Sequence, residues 1–238
     1  MIVLEPPPYP LAKAASVYRS LLESGMTVDQ ALRLVTSMTS LSRSYQKALR
    51  RAIHPLSFAM SAICKRLLLC EVAGLELAID GFNVLHTIEA ALRREPLYLS
   101  DDLMLRDTLG LHGRIHMDAA FDKAIELMLL SLSSSKVESV YFFFDKPVSK
   151  SGALASYIAS KLRNLGLRGE ARAINNVDEV VSGFPVAASS DTVVVAKVDH
   201  VLDLPAEVLS TISTPVHVIS LVPESASQVS PSGSSAGP

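Results

Sequence analysis

The sequence LELAIDGFNVL at Leu75–Leu85 decides the fold of this chain. It begins as a mostly apolar run of strand length and ends in Asp80, a glycine and the amide of Asn83, where a helical pattern starts. In an open α/β sheet, ligands bind beyond the carboxyl ends of the strands. Asp80 is therefore the first candidate for chemistry, provided that other strands bring acids to the same edge.

Strand-like and helical segments alternate after Gly74. Strands are predicted at Leu75–Asp80, Ser139–Asp145, Glu170–Ile174, Phe184–Ala188, Val201–Leu204 and Val216–Val222. Helices are predicted over about Val84–Arg94, Met117–Ser133 and Gly152–Leu165, with a short one from Val177. Alternating β and α units of this kind predict the α/β class, with a mainly parallel sheet covered by helices on both faces.

The region before this alternation has helical periodicity throughout. The first helix is closed by Gly25, and Thr27 with Gln30 forms a capping-box pattern for the second. The third is expected from Ser42 to just before Pro55, and the fourth over about Leu56–Glu71. The sequence thus predicts an all-helical region at residues 1–72, an α/β domain at 73–222 and a disordered Ser-, Pro- and Gly-rich tail at 223–238.

Charge is unevenly distributed, although the net charge is only −2. Residues 1–70 hold nine Lys/Arg against three Asp/Glu, and the remainder is net negative. Four of these bases form a stripe on the third helix: Arg43, Lys47, Arg50 and Arg51. Such a stripe is typical either of a face that follows nucleic-acid phosphates or of an ordinary solvated face, and the sequence leaves both open.

Composition excludes several classes of protein. Hydrophobic residues make up 49% of the chain, but its best candidate for a membrane span, Leu56–Leu75, carries Lys65 and Arg66 in its middle, so a buried helix is predicted instead. The first ten residues have no cationic start and are no signal peptide. Cys64 and Cys70 lack a metal-type spacing and are interpreted as reduced, half-buried thiols of a cytoplasmic protein without a membrane partner.

Acids recur at the ends of the predicted strands, as Asp80, Asp145, Asp178 and Asp191. In a parallel sheet these ends share one edge, so the four carboxylates would converge and need a cation to be stable. Oxygen ligands with open positions suit Mg²⁺ or Mn²⁺, which can activate water and stabilise phosphoryl oxygens during in-line attack. Each acid alone is equally typical of a helix N-cap.

The order and placement of these motifs resemble the PIN-like nucleases, the NYN branch in particular, over about residues 75–205. The matching segments are Ile79–Asn83 as the opening D-G-x-N motif, Phe143–Asp145 as the second-strand acid, Val177–Glu179 as the mid-domain acid and Ser189–Asp191 as the late S-x-D-type motif. The whole arrangement is similar to an uncharacterised prokaryotic family with such a domain behind a helical segment.

The resemblance implies a PIN-like three-layer α/β/α sandwich that cleaves RNA with Mg²⁺ or Mn²⁺. The residues that it places on the metal are Asp80, Asp178 and Asp191, with Asp145 as a further ligand. Asn83 would orient Asp80 or contact the substrate, and Ser190 would support the late acid. The chain departs from the pattern after Asp191, because the family usually has a further acid there and this sequence has Thr192 and Val193.

Two polar segments are further candidates for substrate contact. In the insertion Ser100–His116, Arg106 and Arg114 are expected to hold phosphate and Asp101 or Asp107 to add a ligand, with a capped surface loop as the alternative. A zinc site at His112 and His116 is disfavoured by the glycines around them. Lys146 and Lys150 flank a helix start whose amides are candidates to bind phosphate.

Other α/β classes fit less well. An aspartyl phosphatase usually needs a second acid two residues after the first, where this chain has Phe82, and a nucleotide-binding Rossmann domain needs a glycine-rich turn that Gly81 alone does not supply. The sequence therefore predicts a metal-dependent ribonuclease with RNA as its partner, and leaves homo-oligomer formation open. The alternative is a catalytically inactive PIN-like module that binds RNA or protein.

Overall fold

The computed structural model describes residues 1–108 and 117–223. Its strands are β1 (Ile2–Glu5), β2 (Arg66–Leu67), β3 (Glu76–Asp80), β4 (Leu97–Leu99), β5 (Leu105–Asp107), β6 (Ser139–Asp145), β7 (Gly169–Ile174), β8 (Val186–Ala188), β9 (His200–Leu202) and β10 (Val216–Ser220). Its helices are α1 (Tyr9–Glu23), α2 (Val28–Met38), α3 (Arg43–Ala52), α4 (Leu56–Lys65), α5 (Gly81–Leu92), α6 (Ala119–Ser134), α7 (Ser151–Asn164), α8 (Val177–Val181), α9 (Thr192–Lys197) and α10 (Leu204–Ser210), and a 3₁₀ turn covers Leu69–Val72.

The main sheet has six strands in the order β2-β9-β8-β3-β6-β7, and all neighbours are parallel. The strand predicted from the opening motif, β3, lies inside it between β8 and β6. Because parallel strands point the same way, the carboxyl ends of β3, β6, β7 and β8 lie along one edge. The predicted α/β class and the mainly parallel sheet are confirmed.

Side chains alternate across this sheet with period two. Leu77, Ile79 and Phe142 belong to the core under α5, α6, α7 and α10, whereas Ala78 and Phe143 belong to a second core under α4, α8 and α9. The architecture is consistent with the three-layer α/β/α arrangement expected from the sequence.

Gly81 is required where β3 passes into α5. A Cβ at this position would overlap the ring of Phe144, which comes from the neighbouring strand β6. The glycine of the opening motif therefore permits close packing of helix against sheet, and it keeps Asp80 at the end of β3 directly before the first turn of α5.

A second sheet was not anticipated by the sequence. It has the order β1-β10-β4-β5, parallel except for the antiparallel β4–β5 pair. One face belongs to the core beneath α5, and the other, with Tyr98 and Leu221, lies in a core formed by α1, α2 and α3. The N-terminal helices therefore pack against residues from the C-terminal half of the chain.

Several sequence predictions need correction. The N-terminal region is not all helical, because β1 pairs with β10. The fourth helix ends at Lys65 rather than near Glu71, because Arg66–Leu67 pairs with β9 as the edge strand of the main sheet. The insertion Ser100–His116, predicted either to contact substrate or to form a surface loop, contains β5, which pairs with β4 just before it, and β10 lies in the second sheet. The predicted boundary at residues 72/73 is crossed by both sheets.

The helical caps follow the sequence closely. Thr27 and Gln30 form the predicted capping box of α2, and Gly25 takes the left-handed backbone conformation after α1.

Cys64 and Cys70 are exposed rather than half-buried. Within residues 1–108 and 117–223, none of the helices has the length and apolar character needed to cross a membrane. The predicted disorder of the tail concerns residues that, from 224 onward, lie outside the described part of the chain.

Candidate functional site

A pocket of about 320 Å³ lies at the carboxyl edge of the main sheet. All four acids predicted from the strand ends line it, together with a fifth acid, an arginine, a histidine and two residues of the opening motif. The lining residues are Asp80, Asp145, Asp178, Asp191, Asp107, Arg51, His86, Phe82 and Asn83. The four predicted acids therefore share one pocket, as the parallel topology required.

Each of the four acids occupies a defined position in the fold. Asp80 is the last residue of β3 and the N-cap of α5, and Asp145 is the last residue of β6. Asp178 lies in the first turn of α8, and Asp191 is the N-cap of α9. The four positions are therefore fixed by strand ends and short helices.

A set of hydrogen bonds joins the opening motif to the late motif. Ser189 Oγ donates to Asp80 Oδ2 at 3.0 Å and accepts from the Asp191 amide at 3.1 Å. The Ser190 amide and hydroxyl both donate to Asn83 Oδ1, at 2.9 and 3.0 Å. Asn83 and Ser190 thus hold two strand ends together, and Ser189, to which the sequence assigned no role, bridges Asp80 and Asp191.

Negative charge is poorly balanced in this pocket. Burial raises the pKa of Asp80 to about 7, and the charges of Asp178 and Asp145 add to the effect against the hydrogen bonds from Asn83 and Ser189. Burial also raises the pKa of Asp145, and burial together with Asp191 and Asp145 raises that of Asp178. Either protonation or a bound cation relieves such repulsion between carboxylates.

Arg106 has a different role from the one predicted. It is 1% exposed, and its guanidinium forms a bidentate ion pair with Asp102 at 2.6 and 2.7 Å. Its Nε and Nη2 also donate to the backbone carbonyl of Ser190 at 3.1 and 2.9 Å. A buried guanidinium with these partners fixes the backbone of the late motif at Ser190. The expectation that Arg106 binds substrate phosphate is therefore replaced by a structural role.

Asp102 belongs to a buried network that reaches the N-terminal helices. The His54 amide donates to Asp101 Oδ2 at 2.9 Å, and His54 Nδ1 lies 2.8 Å from Asp101 Oδ1. One ligand atom from each of His54, Asp101 and Asp102 lies within 4.8 Å of the others, a spacing that could hold a metal ion. Both oxygens of Asp102 are, however, engaged by Arg106, and Arg19 Nε lies 3.9 Å from Asp101, so arginines already compensate these acids.

The effect of that compensation is visible in the acid itself. Burial acts to raise the pKa of Asp102, but the hydrogen bonds and charge of Arg106 lower it below its ordinary value. The direction is opposite to that of Asp80, although both carboxyl groups are buried. A paired acid and an acid in a pocket of acids therefore behave differently in the same chain.

The remaining basic candidates lie outside the pocket lining. Arg43 and Lys47 are exposed on α3, and Arg50 is paired with Asp29 at 2.7 Å. Lys146 and Lys150 are exposed near the start of α7. The predicted contacts of all five with a substrate stay predictions. Arg114, His112 and His116 lie outside the described residues.

The sequence analysis did not place three of the pocket residues at the acidic site with any emphasis. Arg51 belonged to the basic stripe, Asp107 was one of two possible extra ligands, and His86 was interpreted as a surface or packing residue. Asp107 is at the end of β5, and Thr87 Oγ1 donates to its Oδ2 at 3.1 Å. His86 Nδ1 lies 3.0 Å from Glu89 Oε2, and its ring stacks on Phe82. Pairing of β5 with β4 brings Asp107 to the site, which sequence spacing cannot reveal.

Comparison with known proteins identifies relatives of unknown function. The family described as "Domain of unknown function (DUF5616)" matches residues 69–207. The chain is 32% identical over 203 residues to "Uncharacterized protein MJ0935" of Methanocaldococcus jannaschii, covering 84% of this chain and 96% of that protein. No solved structure matches. The chain thus belongs to the DUF5616 family.

Proposed function

We propose that this protein is a divalent-metal-dependent ribonuclease that hydrolyses RNA phosphodiester bonds. One observation carries the proposal: four acids at or just after the ends of four separate strands share a pocket of about 320 Å³, with Arg51 as the one lysine or arginine in its described lining. Gathering like charges costs free energy unless a ligand balances them, so the arrangement is typical of a functional site. The motif order that resembles the NYN nucleases adds the reaction class.

The donor set fits Mg²⁺ or Mn²⁺. Carboxylate oxygens are the ligands that these ions prefer, and Asp80, Asp145, Asp178 and Asp191 would hold the ion. A bound ion supplies a means of lowering the pKa of water and of stabilising the oxygens of a phosphoryl group under in-line attack. Asp107, also in the pocket, supplies an acid that the late motif lacks in sequence.

The protein's own residues position these acids. Ser189 donates to one oxygen of Asp80 and accepts from the backbone amide of Asp191. The buried Arg106 donates to the backbone carbonyl of Ser190. These bonds hold the carboxylates in place before substrate arrives, so little reorganisation accompanies the reaction. The reaction adds water across a phosphodiester and needs no covalent intermediate with the protein.

A non-catalytic binding module is the second candidate, and a specific observation favours it. Two of the four acids already accept hydrogen bonds as helix N-caps: Asp80 from the Asn83 amide at 3.3 Å and Asp191 from the Val193 amide at 2.7 Å. Capping alone explains an aspartate at these positions. In that case the pocket would bind no divalent ion, and RNA or a protein would contact the surface without being cut.

RNA is the proposed partner and the cytoplasm the proposed compartment. The stripe of bases on α3 supports contact with a polyanion. Cys64 and Cys70 are exposed thiols, which fits a reducing compartment, where thiols are kept from forming disulfides.

The decisive experiment is cleavage of a mixed panel of labelled RNAs with Mg²⁺ or Mn²⁺, for the wild type, Asp80→Asn and Asp191→Asn. Asn preserves the shape of each side chain and removes its charge. Asp199→Asn is the matched control, because Asp199 is exposed and does not line the pocket. We expect metal-dependent cutting by the wild type and the control, and a loss of at least about 100-fold in both pocket variants. Absence of cutting by the wild type, or equal cutting by all four proteins, would leave only the binding module.

A further inference from the structure

The pocket contains one feature that the acids do not explain. Of the lining residues that the structure describes, Arg51 alone is a lysine or arginine, and it comes from α3 in the N-terminal helical region. The other lining groups include five carboxylates. A phosphodiester is itself an anion, so a substrate entering this pocket meets repulsion that a bound metal ion and Arg51 would have to offset.

The guanidinium of Arg51 is positioned to bind a phosphate group. Its Nη1 lies 3.8 Å from Asp107 Oδ1, which is longer than a hydrogen bond, so this charge pair leaves the guanidinium donors available. The side chain is 31% exposed, in contrast to Arg106, whose bidentate pair with Asp102 is buried. Arginine presents a planar fork of N–H donors that matches phosphate oxygens.

The sequence of α3 extends this feature away from the pocket. Arg43, Lys47 and Arg51 follow one another at intervals of four residues, which places them along one stripe, about 6 Å apart along the helix axis. Arg43 and Lys47 are exposed. Arg50 lies off this spacing, and its side chain is paired with Asp29.

We propose that Arg51 binds the phosphate group held at the acidic pocket, and that Lys47 and Arg43 bind the phosphates that follow it along the same strand of RNA. On this view α3 provides a phosphate path into the site. The N-terminal helices then belong to the substrate-binding surface and are more than a support for the second sheet. The inference rests on the proposed ribonuclease function and assigns its substrate path.

The test measures binding apart from cleavage. A fluorescent single-stranded RNA is titrated with Asp191→Asn protein, in which we expect cleavage to be lost, and with the same protein carrying Arg51→Met, Arg51→Lys or Arg33→Met. Arg33 is the matched control, an exposed arginine on the neighbouring helix α2. Each titration is repeated over a range of salt concentrations, and thermal unfolding verifies that every variant is folded.

We expect Arg51→Met to weaken binding by about tenfold and to reduce the salt slope by about 0.7, the value for one lost phosphate contact on a single strand. Arg51→Lys should keep the salt slope, because the charge remains. It should lose part of the affinity, because lysine lacks the paired N–H donors of the guanidinium. Arg33→Met should change neither quantity. In the active protein, Arg51→Met should slow cleavage by at least about tenfold.

The outcomes separate the two proposals. If wild-type protein cuts RNA and Arg51→Met cuts and binds as well as Arg33→Met, the phosphate path is wrong and the ribonuclease stands. If the wild type cuts no RNA with either metal, both proposals fall together. If a folded Arg51→Met loses affinity with an unchanged salt slope, Arg51 shapes the pocket without touching phosphate, and the inference is overturned.

Discussion

Two groups of carboxylates lie in this chain, and their surroundings differ. In the buried network, Asp102 is held by both arms of Arg106, and Asp101 contacts His54 and lies near Arg19. In the acidic pocket, the four predicted acids and Asp107 share the described lining with one arginine, Arg51. The first group is paired with cations within the protein, whereas Asp80, Asp145 and Asp178 in the second repel one another. A cluster of acids therefore indicates a ligand site only after its internal partners have been counted.

The difference extends to pKa values. The pKa of Asp102 is lowered by Arg106 against the effect of burial, while burial and neighbouring carboxylates raise that of Asp80 to about 7. Protonation can neutralise Asp80 when no cation is present. In the buried network, Arg106 already neutralises Asp102. Removing a charge should accordingly have opposite effects on stability in the two regions.

The largest effect is expected from Arg106→Met. The change leaves Asp102 buried without its ion pair and the Ser190 carbonyl without two donors, so the free energy of unfolding should fall by about 3–5 kcal/mol. Urea unfolding followed by circular dichroism measures it. Arg172→Met is the control, since its pair with Glu170 is exposed and should be worth under about 1 kcal/mol. Equal losses for both variants would remove the distinction between the two regions.

The second effect is the pH dependence of metal binding. A protonated carboxyl cannot serve as a metal ligand, and the pKa of Asp80 is about 7, so affinity for Mn²⁺ should rise as pH increases through 7 and level off above it. Between pH 6 and pH 8 the gain should be about tenfold, measured by calorimetry. Asp80→Asn should bind weakly with a flat profile. A steep profile in that variant would assign the titration to another group.

The smallest effect is expected from Asp178→Asn in metal-free protein. Its pKa is raised by partial desolvation at the pocket edge and by repulsion from Asp191 and Asp145, so removing its charge should stabilise the fold at pH 8. Because the side chain is exposed, the gain should be below about 1 kcal/mol, or roughly 2–4 °C in Tm. Scanning calorimetry with a chelator measures it, and Mn²⁺ should reverse the order of stability. A lower Tm for the metal-free variant would show that the pocket carries no net repulsion.

Much of the site follows from local sequence. The alternation around Leu77 and Phe142 predicts buried parallel strands, and an acid at the end of such a strand is brought to the shared edge by topology alone. The capping box of α2 and the glycine after Asp80 are also written in short motifs. The capping box and the strand pattern depend on contacts within a few residues or on the common direction of parallel strands, whereas the reason for the glycine, the ring of Phe144, comes from the neighbouring strand.

The second sheet could not be found in this way. β1 pairs with β10 although more than 200 residues separate Ile2 from its partner Val216, and no periodicity encodes such a partner. The sequence analysis also missed β2. Two residues that follow a helix have no strand periodicity of their own, and their pairing with β9 is a long-range contact. Arg106 was predicted to bind substrate phosphate because a charged residue in a polar segment is usually exposed.

The sequence by itself determined the α/β class, the positions of β3 and β6, and the presence of acids at the strand ends, since each depends on local periodicity. The tertiary structure decided which charges are compensated. Pairing of β5 with β4 brings Asp107 to the pocket and buries Arg106 against Asp102, and packing of α3 beside β4 and β5 places Arg51 among the acids. Coulombic balance depends on distance in space, which residue spacing along the chain does not contain.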